Sequence, residues 1–522
     1  MQKQRRRILW IDNNIRELET HILFLEHKGY DITSASNDSE ALSLLENEIY
    51  DVILLDHDLP DMDGIRMLAK IKRINPYLPV VMVSESDQKE VINEAIIHQA
   101  DDFLMKPVSP RQIASVLTFL LDHHAIKEDY TFQEYVVDFN KRRLLKQQGD
   151  IDWQRWIDIY VQLSEWDLRL DTLDTAEELR ETHSLEKQEC NALFAQYVED
   201  HYCDWLVGEY SPNLSVDVIY KHVLPEVQVG KQVLFVVVDC MRLDHWLKIE
   251  PILHAYFNIT KHYYYSILPT ATLYSRNALF SGLFPLELAE RYPDLWIEVD
   301  DESTSVNRHE KNLMRLQLER HGIILKPYPH YFKIFDTRGE MEYLQWLNGT
   351  KRISLAAVVV DFLDLLTHKR SEINLLKQLI PDETAFRTLV QSWFLHSGLF
   401  KVLKVLAERG VTVVLTSDHG SIRCHRAAKV SSNQPATNGL RFKMAIGSLW
   451  CDSENGLVIT DPERYRLPSD FTQKSYIIAK EDYYFVYASQ FNDYKRQFQD
   501  GFQHGGISLE EMILPCVTLD PK

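Results

Sequence analysis

Six cysteines in 522 residues, at positions 190, 203, 240, 424, 451 and 516, form no CxxC pair and no framework spacing. That excludes cysteine-rich zinc modules and a disulfide scaffold, and fits reduced thiols. No stretch of eighteen apolar residues occurs, so no membrane-spanning helix is expected. The opening MQKQRRRILW runs from basic residues straight into strand-like sequence, without the apolar region of a secretory signal. Positive charge is in deficit: 57 Lys and Arg against 77 Asp and Glu leave a formal charge of -20. This disfavours a constitutive nucleic-acid coat or an anionic membrane surface as partner, while leaving room for a local nucleic-acid site. There is no internal repeat and no low-complexity tract. The expectation is a soluble, cytoplasmic protein, too long for one hydrophobic core.

What is present divides into three parts. Residues 1–121 alternate apolar runs (RILWI, DITSA, DVILLD, VVMVS, DDFLMK) with amphipathic stretches, the fourth being QKEVINEAIIHQ. Continuous apolar strands separated by helices predict a doubly wound parallel (βα)5 sheet covered on both faces. Residues 122–210 turn aromatic-rich and helical, as in DIDWQRWIDIYVQLSEWDLRL, and predict a helical bundle whose Trp and Tyr positions serve packing. From 211 to 522 a second α/β region follows, with strands in KQVLFVVVDCMR, ISLAAVVVDF, VTVVLTSDHG and LRFKMAIGS. A polar, helix-prone insertion at about 286–350 (ELAERYPDLW, EKNLMRLQLERHG, EMEYLQWLNG) interrupts its strand rhythm, as cap elements often do.

In an open parallel sheet, functional groups gather beyond the carboxyl ends of the strands. Asp12 follows ILWI, Asp56 follows DVILL, Ser84 closes VVMV and Lys106 follows DDFLM, which puts two carboxylates, a hydroxyl and an ammonium in one crevice. In order and spacing, DVILLDHDLPDMDG, VVMVSES and FLMKPV resemble a response-regulator receiver domain over about residues 5–121. The resemblance implies that Asp56 accepts a phosphoryl group and that Asp12, Asp56 and the main-chain carbonyl of Asp58 hold Mg²⁺. It also implies that Lys106 pairs with the phosphoryl group, with Ser84 and Phe103 at the switch positions. Asn13 departs from the family, whose acidic pair has its second carboxylate there.

The second α/β region carries a denser set. Asp239 ends LFVVVD, Asp364 and His368 stand four apart in VVVDFLDLLTH, Asp418 and His419 end VVLTSDHG, and His504 opens HGGIS. Carboxylates and imidazoles at strand ends suit two zinc ions with positions left open for substrate. In ILPTATLYSRNALFSG, Thr272 follows a strand and starts a predicted helix, where a hydroxyl is well placed as a nucleophile; Thr270 is the alternative. Arg276, one turn on, is open to phosphate contact or to ordinary ion pairing. His425 is open to a ligand, a contact or neither role.

Together these motifs resemble the PglZ-type branch of the alkaline phosphatase superfamily, and the whole arrangement resembles PorX-type response regulators of the type IX secretion system. The resemblance implies a phosphodiesterase acting on cyclic and linear oligonucleotides. One zinc would be held by Asp239, Thr272, Asp418 and His419, and the other by Asp364, His368 and His504, with Thr272 as the attacking group. It further implies a sensor histidine kinase, a sigma factor and secretion components as partners, and a homodimer upon phosphorylation. A phosphomonoesterase shares the same metal core and remains open. The alternative from another class is a zinc-containing regulator that acts without turnover, by binding a sigma factor or secretion component.

Overall fold

The structure, a computed structural model, describes residues 6–522 except 61–62, 76–77, 86–93, 95–97, 99, 149–150, 174–176, 209, 298–306, 335–338, 340–342, 344, 348, 351, 435, 438, 470–472 and 489–490. It splits into two compact units, Met1–Phe139 and Asn140–Lys522. No described helix is long and apolar enough to cross a membrane.

In the first unit, β1 (Arg6–Ile11), β2 (Tyr30–Ala35), β3 (Val52–Asp56), β4 (Val80–Ser84) and β5 (Asp102–Met105) form one parallel sheet in the order β2-β1-β3-β4-β5. Strands β3 and β4 are buried throughout, so their apolar runs face cores on both sides of the sheet. Helices α1 (Glu19–His27), α2 (Asp38–Asn47) and α3 (Gly64–Ile74) connect the first four strands. Asn37 and Asp63 cap α2 and α3 by accepting from the main-chain N–H groups of Glu40 and Ile65. The expected helix in QKEVINEAIIHQ lies largely outside the described residues. A long helix, α4 (Pro110–Gln148), carries the chain past residue 121 into the next unit.

The second unit opens with α5 (Trp153–Leu170) and α6 (Glu177–Trp205). Their aromatics pack as expected, Trp156 edge-on to Phe194 with 5.4 Å between centroids. They share their core with the sheet that follows: Trp205 lies 5.2 Å from Tyr265, and Tyr160, Leu163 and Val198 join the same apolar cluster as Leu234 and Val236.

That sheet has the order β7-β13-β10-β6-β9-β8, built from β6 (Val233–Val238), β7 (Phe257–Tyr265), β8 (His330–Ile334), β9 (Leu355–Val360), β10 (Thr412–Thr416) and β13 (Ile513–Pro521). Strands β10, β6, β9 and β8 run parallel, and β13 runs antiparallel between β10 and β7. Its central strands, VLFVVV, LAAVVV and TVVLT, are buried along their whole length. Around them stand α7 (Leu243–Leu253), α8 (Thr272–Ser281), α9 (Glu310–Arg320), α10 (Phe362–Glu372), α11 (Glu383–His396) and α12 (Gly398–Glu408).

Two expectations change. The insertion is not purely helical: after α9 it supplies β8, whose short sequence HYFKI sits at the sheet edge and is only partly buried. The strand in LRFKMAIGS, Phe442–Ile446, is outside the main sheet. It belongs to an excursion between β11 (Ile422–Cys424) and β12 (Gly501–Gln503) that forms two three-stranded sheets of its own. A five-residue strand pattern cannot state which sheet will receive it. Part of EMEYLQWLNG lies outside the described residues.

Candidate functional site

In the first unit the carboxyl ends of β1, β3 and β4 and the residue after β5 converge as expected. Lys106 Nζ lies 3.0 Å from Oδ2 of both Asp12 and Asp56, carboxylates that are almost wholly buried. Burial raises the Asp56 pKa, and Asp12 adds to this against the pull of Lys106. Burial would lower that of Lys106, but its hydrogen bonds to Asp56 and Asp12 outweigh this and raise it. Oδ1 of Asp56 is buried without a hydrogen-bond partner, a fit for a cation or an incoming phosphoryl group. Ser84 is buried and Phe103 half-buried at the neighbouring strands. Asn13 donates from Nδ2 to the Asp58 carbonyl at 2.9 Å, engaging the oxygen that the resemblance assigns to Mg²⁺. The Asp58 side chain turns outward to His57 Nδ1 at 3.0 Å.

In the second unit the adjacent parallel strands β9, β6 and β10 end in Asp361, Asp239 and Ser417-Asp418-His419. Cys240, directly after Asp239, has φ of 65°, a conformation uncommon for a side-chain-bearing residue, and this turn sets the direction in which the strand hands over Asp239. One turn of α10 separates Asp364 from His368. His504 arrives through strand pairing: β12 runs antiparallel to β11, with Gln503 opposite Ile422, so HGG returns beside DHG.

Two donor groups result: Asp239, Asp418 and His419, and Asp364, His368 and His504, each with ligand atoms within 4.8 Å of one another. His419 Nε2 lies 3.5 Å from Asp239 Oδ1, 3.7 Å from Asp418 Oδ2 and 3.0 Å from Thr272 Oγ1. His504 Nε2 lies 3.0 Å from His368 Nε2 and 3.4 Å from Asp364 Oδ1. The rings of His419 and His504 stack with centroids 4.2 Å apart, so the groups are contiguous. The first group is buried, and the second opens outward through His368, whose side chain is about half exposed.

Thr272 starts α8 with its hydroxyl toward His419, whereas Thr270 is committed elsewhere. Its hydroxyl donates to the Gly506 carbonyl at 2.7 Å and accepts from Gly505 N–H at 3.2 Å, holding the HGG loop. Gly505, with φ of 115°, makes the turn that a residue with a side chain would resist.

Burial lowers the His419 pKa to about 4, keeping the ring neutral and able to donate a lone pair. Burial alone would raise Asp364, but the nearby His368 and His504 outweigh it and hold it well below the usual carboxylate range. Asp239 is pushed well above that range by burial, against the pull of Arg276.

The donors fit divalent cations. Asp239 Oδ1, Asp364 Oδ1 and Asp418 Oδ2 are buried without a hydrogen-bond partner, and the Nε2 atoms of His368 and His504 converge on the same carboxylate oxygen. Five acidic groups, Asp239, Asp361, Asp364, Asp418 and Glu310, are gathered around two cationic side chains, Arg276 and Lys333. Cations are the ordinary means of balancing such an excess.

Sequence reasoning missed Asp361, Glu310 and Lys333. Asp361 carries the same strand-end signal as Asp239, whereas Glu310 lies in a helix of the insertion with nothing to mark it. Arg276 is buried among carboxylates, which settles its open reading in favour of ion pairing. His425 bonds to Asp500 at 2.6 Å and joins neither donor group. A separate cavity of about 320 Å³, lined by Lys187, Glu383 and Arg387 among others, contains none of the donors.

The family model of the BREX system PglZ alkaline phosphatase-like domain matches residues 218–519. The chain belongs to this PglZ family. Ahead of the PglZ domain, residues 8–118 match the response regulator receiver domain and 125–206 the PorX response regulator linker domain, which is the PorX-type order of receiver, linker and PglZ. The chain is thus a response regulator with a PglZ, alkaline phosphatase-like output domain, and that kinship implies use of divalent metal. Response regulator SaeR of Staphylococcus aureus (strain USA300) is 31% identical over 116 residues, 21% of this chain and 50% of that protein. The chain therefore spans about half the length of the curated relatives it matches. A CheY-like receiver domain protein from Methanospirillum hungatei JF-1 is 32% identical, covering 23% of this chain and 96% of that one at a TM-score of 0.23. A two-component response regulator from Clostridium difficile is 29% identical over 23% of this chain and 97% of that one, at 0.22.

Proposed function

We propose that the PglZ domain is a zinc-dependent phosphodiesterase acting on cyclic and linear oligonucleotides, and that phosphorylation of Asp56 by a sensor histidine kinase controls it. The carrying observation is the Thr272 hydroxyl, 3.0 Å from His419 Nε2, beside two contiguous donor groups. Asp239, Asp418, His419 and Thr272 would hold one zinc and Asp364, His368 and His504 the other. When bound, zinc supplies positive charge that acidifies a hydroxyl and polarises a phosphoryl oxygen.

The chain's own groups do the rest. His419 Nδ1 is tied to the Gly420 carbonyl at 3.1 Å, which fixes the ring with Nε2 toward Thr272. Free N–H groups in the first turn of α8 favour an anionic substrate at Thr272. Thr272 gives up its hydroxyl proton to solvent, Oγ1 bonds to phosphorus, and the bond from phosphorus to the ester oxygen breaks, that oxygen taking a proton from water as it leaves. The oxygen of a water then bonds to phosphorus as the bond to Oγ1 breaks, and Oγ1 regains a proton.

In the receiver, Asp12, Asp56 and the Asp58 carbonyl would hold Mg²⁺, and Lys106, with Ser84 and Phe103 at the switch positions, would answer the phosphoryl group. We divide the chain at 1–121, 122–210 and 211–522, and place it in the cytoplasm as a homodimer when phosphorylated. A sigma factor and type IX secretion components are its proposed downstream partners.

The test is zinc-dependent hydrolysis of a chromogenic phosphodiester beside the matching monoester, in wild type and Thr272→Val at equal zinc content. Diester cleavage that vanishes in the variant is expected. Faster monoester cleavage would make the domain a phosphatase, and undiminished turnover by Thr272→Val would remove Thr272 from the chemistry.

A further inference from the structure

Arg276 is 2% exposed, and its guanidinium is divided among carboxylates. Nε donates to Glu310 Oε1 at 2.6 Å, while Nη1 donates to Asp239 Oδ2 and, at 3.3 Å, to Asp361 Oδ1. Asp239 thereby has separate tasks for its two oxygens. Oδ2 is held by Arg276, and Oδ1, without a hydrogen-bond partner, faces His419. Glu310 is likewise held at both oxygens, Oε1 by Arg276 and Oε2 by the Tyr331 hydroxyl. The line of contacts runs from β8 through α9 and α8 to the end of β6. A second tether lies beside it: Asn307, buried just before α9, donates from Nδ2 to the Thr272 carbonyl at 3.1 Å.

We propose that Arg276 and Glu310 are a positioning pair that orients Asp239 for its cation, which makes the α9 segment of the insertion a working part of the centre and not a lid over it. This rests on reading Asp239, Asp418 and His419 as a divalent-cation site. Arg276→Lys separates position from charge: if Arg276 acted through its charge alone, Arg276→Lys would bind zinc as the wild type does. If it orients Asp239, the variant binds more weakly, by roughly 10–100-fold, the usual effect of losing a group that aligns a metal ligand.

The experiment is zinc competition against a chromogenic chelator, on the full-length protein, for wild type, Arg276→Met, Arg276→Lys and Glu310→Gln. Thermal melting and kcat and KM on a diester are measured alongside. One of two zinc equivalents is expected to weaken roughly 10–100-fold in both Arg276 variants, because lysine keeps the charge but lacks the planar fork that reaches Glu310 and Asp239 together. Glu310→Gln shifts the same equivalent by less, the other stays unchanged in all, and kcat falls with little change in KM. Wild-type zinc binding in a cooperatively melting Arg276→Lys, or unchanged or tighter zinc in a cooperatively melting Arg276→Met, overturns the proposal. If neither variant folds, unchanged zinc affinity in Glu310→Gln overturns it instead. A wild type that takes up no zinc sinks the metal-centre reading and this proposal with it, whereas a loaded wild type with unperturbed variants sinks the proposal alone.

Discussion

Gly420, the last residue of SDHG, offers the sharpest test of how tightly the first donor group is held. A Cβ built there would meet the main-chain oxygen of Glu510 at 1.9 Å, and no rotamer can relieve a clash with backbone. Opening that contact even to 3.0 Å needs a displacement of about 1.1 Å, and Gly420 N–H is itself bonded to the Glu511 carbonyl at 3.1 Å, so both segments of the contact resist. Asp418 and His419 immediately precede it, and a shift near 1 Å at a reacting centre costs on the order of 100-fold in rate. Gly420→Ala is therefore expected to lower diester kcat/KM by about that factor, to weaken one zinc equivalent, and to destabilise the fold by about 1–3 kcal/mol through overpacking. Gly230→Ala is the control. Its φ of 86° also penalises a side chain, by about 1–2 kcal/mol, but its Cβ would meet nothing within 4 Å. It should lose stability in urea without changing zinc binding or kcat/KM. Wild-type kcat/KM and zinc binding in a folded Gly420→Ala would refute the reasoning.

Thr270→Val keeps the shape of the side chain but removes both hydrogen bonds to the HGG loop, so it is expected to weaken zinc at the group containing His504 while leaving Thr272 in place; equal zinc uptake at both groups would contradict this. Asp56→Ala should abolish any change that a small phosphoryl donor produces in diester turnover and in oligomeric mass measured by light scattering, and a response equal to wild type would uncouple the receiver from the output. His245 is wholly buried beside Asp244, Arg242, Arg387 and Glu383, and burial, aided by the two arginines against the two carboxylates, lowers its pKa to about 3. Because the unfolded chain takes up this proton near pH 6.5 and the folded one does not, the destabilisation begins as pH falls below about 6.5 and grows until about pH 3, by up to about 4–5 kcal/mol. His245→Gln should flatten that part of the acid limb of stability against pH, and an unchanged acid limb would exclude His245 as its source.

Much of this was legible because the chemistry sits at strand ends. The apolar runs before Asp12, Asp56, Asp239 and Asp418 identify parallel strands, and a parallel sheet gathers whatever follows its strands at one edge. Asp364 and His368 were legible as a pair because a four-residue spacing on a helix is a contact by itself. Not legible was how partners distant in the chain would meet. His504 reaches His368 only because β12 pairs with β11 across an excursion that forms two sheets of its own, and no local pattern announces such a return. The insertion read as helix and cap, yet it contributes β8 to the main sheet and Glu310 to the centre, since a short half-buried edge strand and a single glutamate carry no periodic signal. Of the two threonines of PTAT, Thr272 was the expected nucleophile from its place at a helix start, with Thr270 as the alternative. Tertiary contacts separated them, tying Thr270 to the HGG loop and leaving Thr272 facing His419. By itself the sequence determined which chemical groups were available and on which elements they stood, because strand and helix periods are local properties of the chain. Only the tertiary structure decided which carboxylate oxygens point at one another, which arginine holds them apart and which hydroxyl is left over, because those depend on packing between segments the chain brings together from far apart.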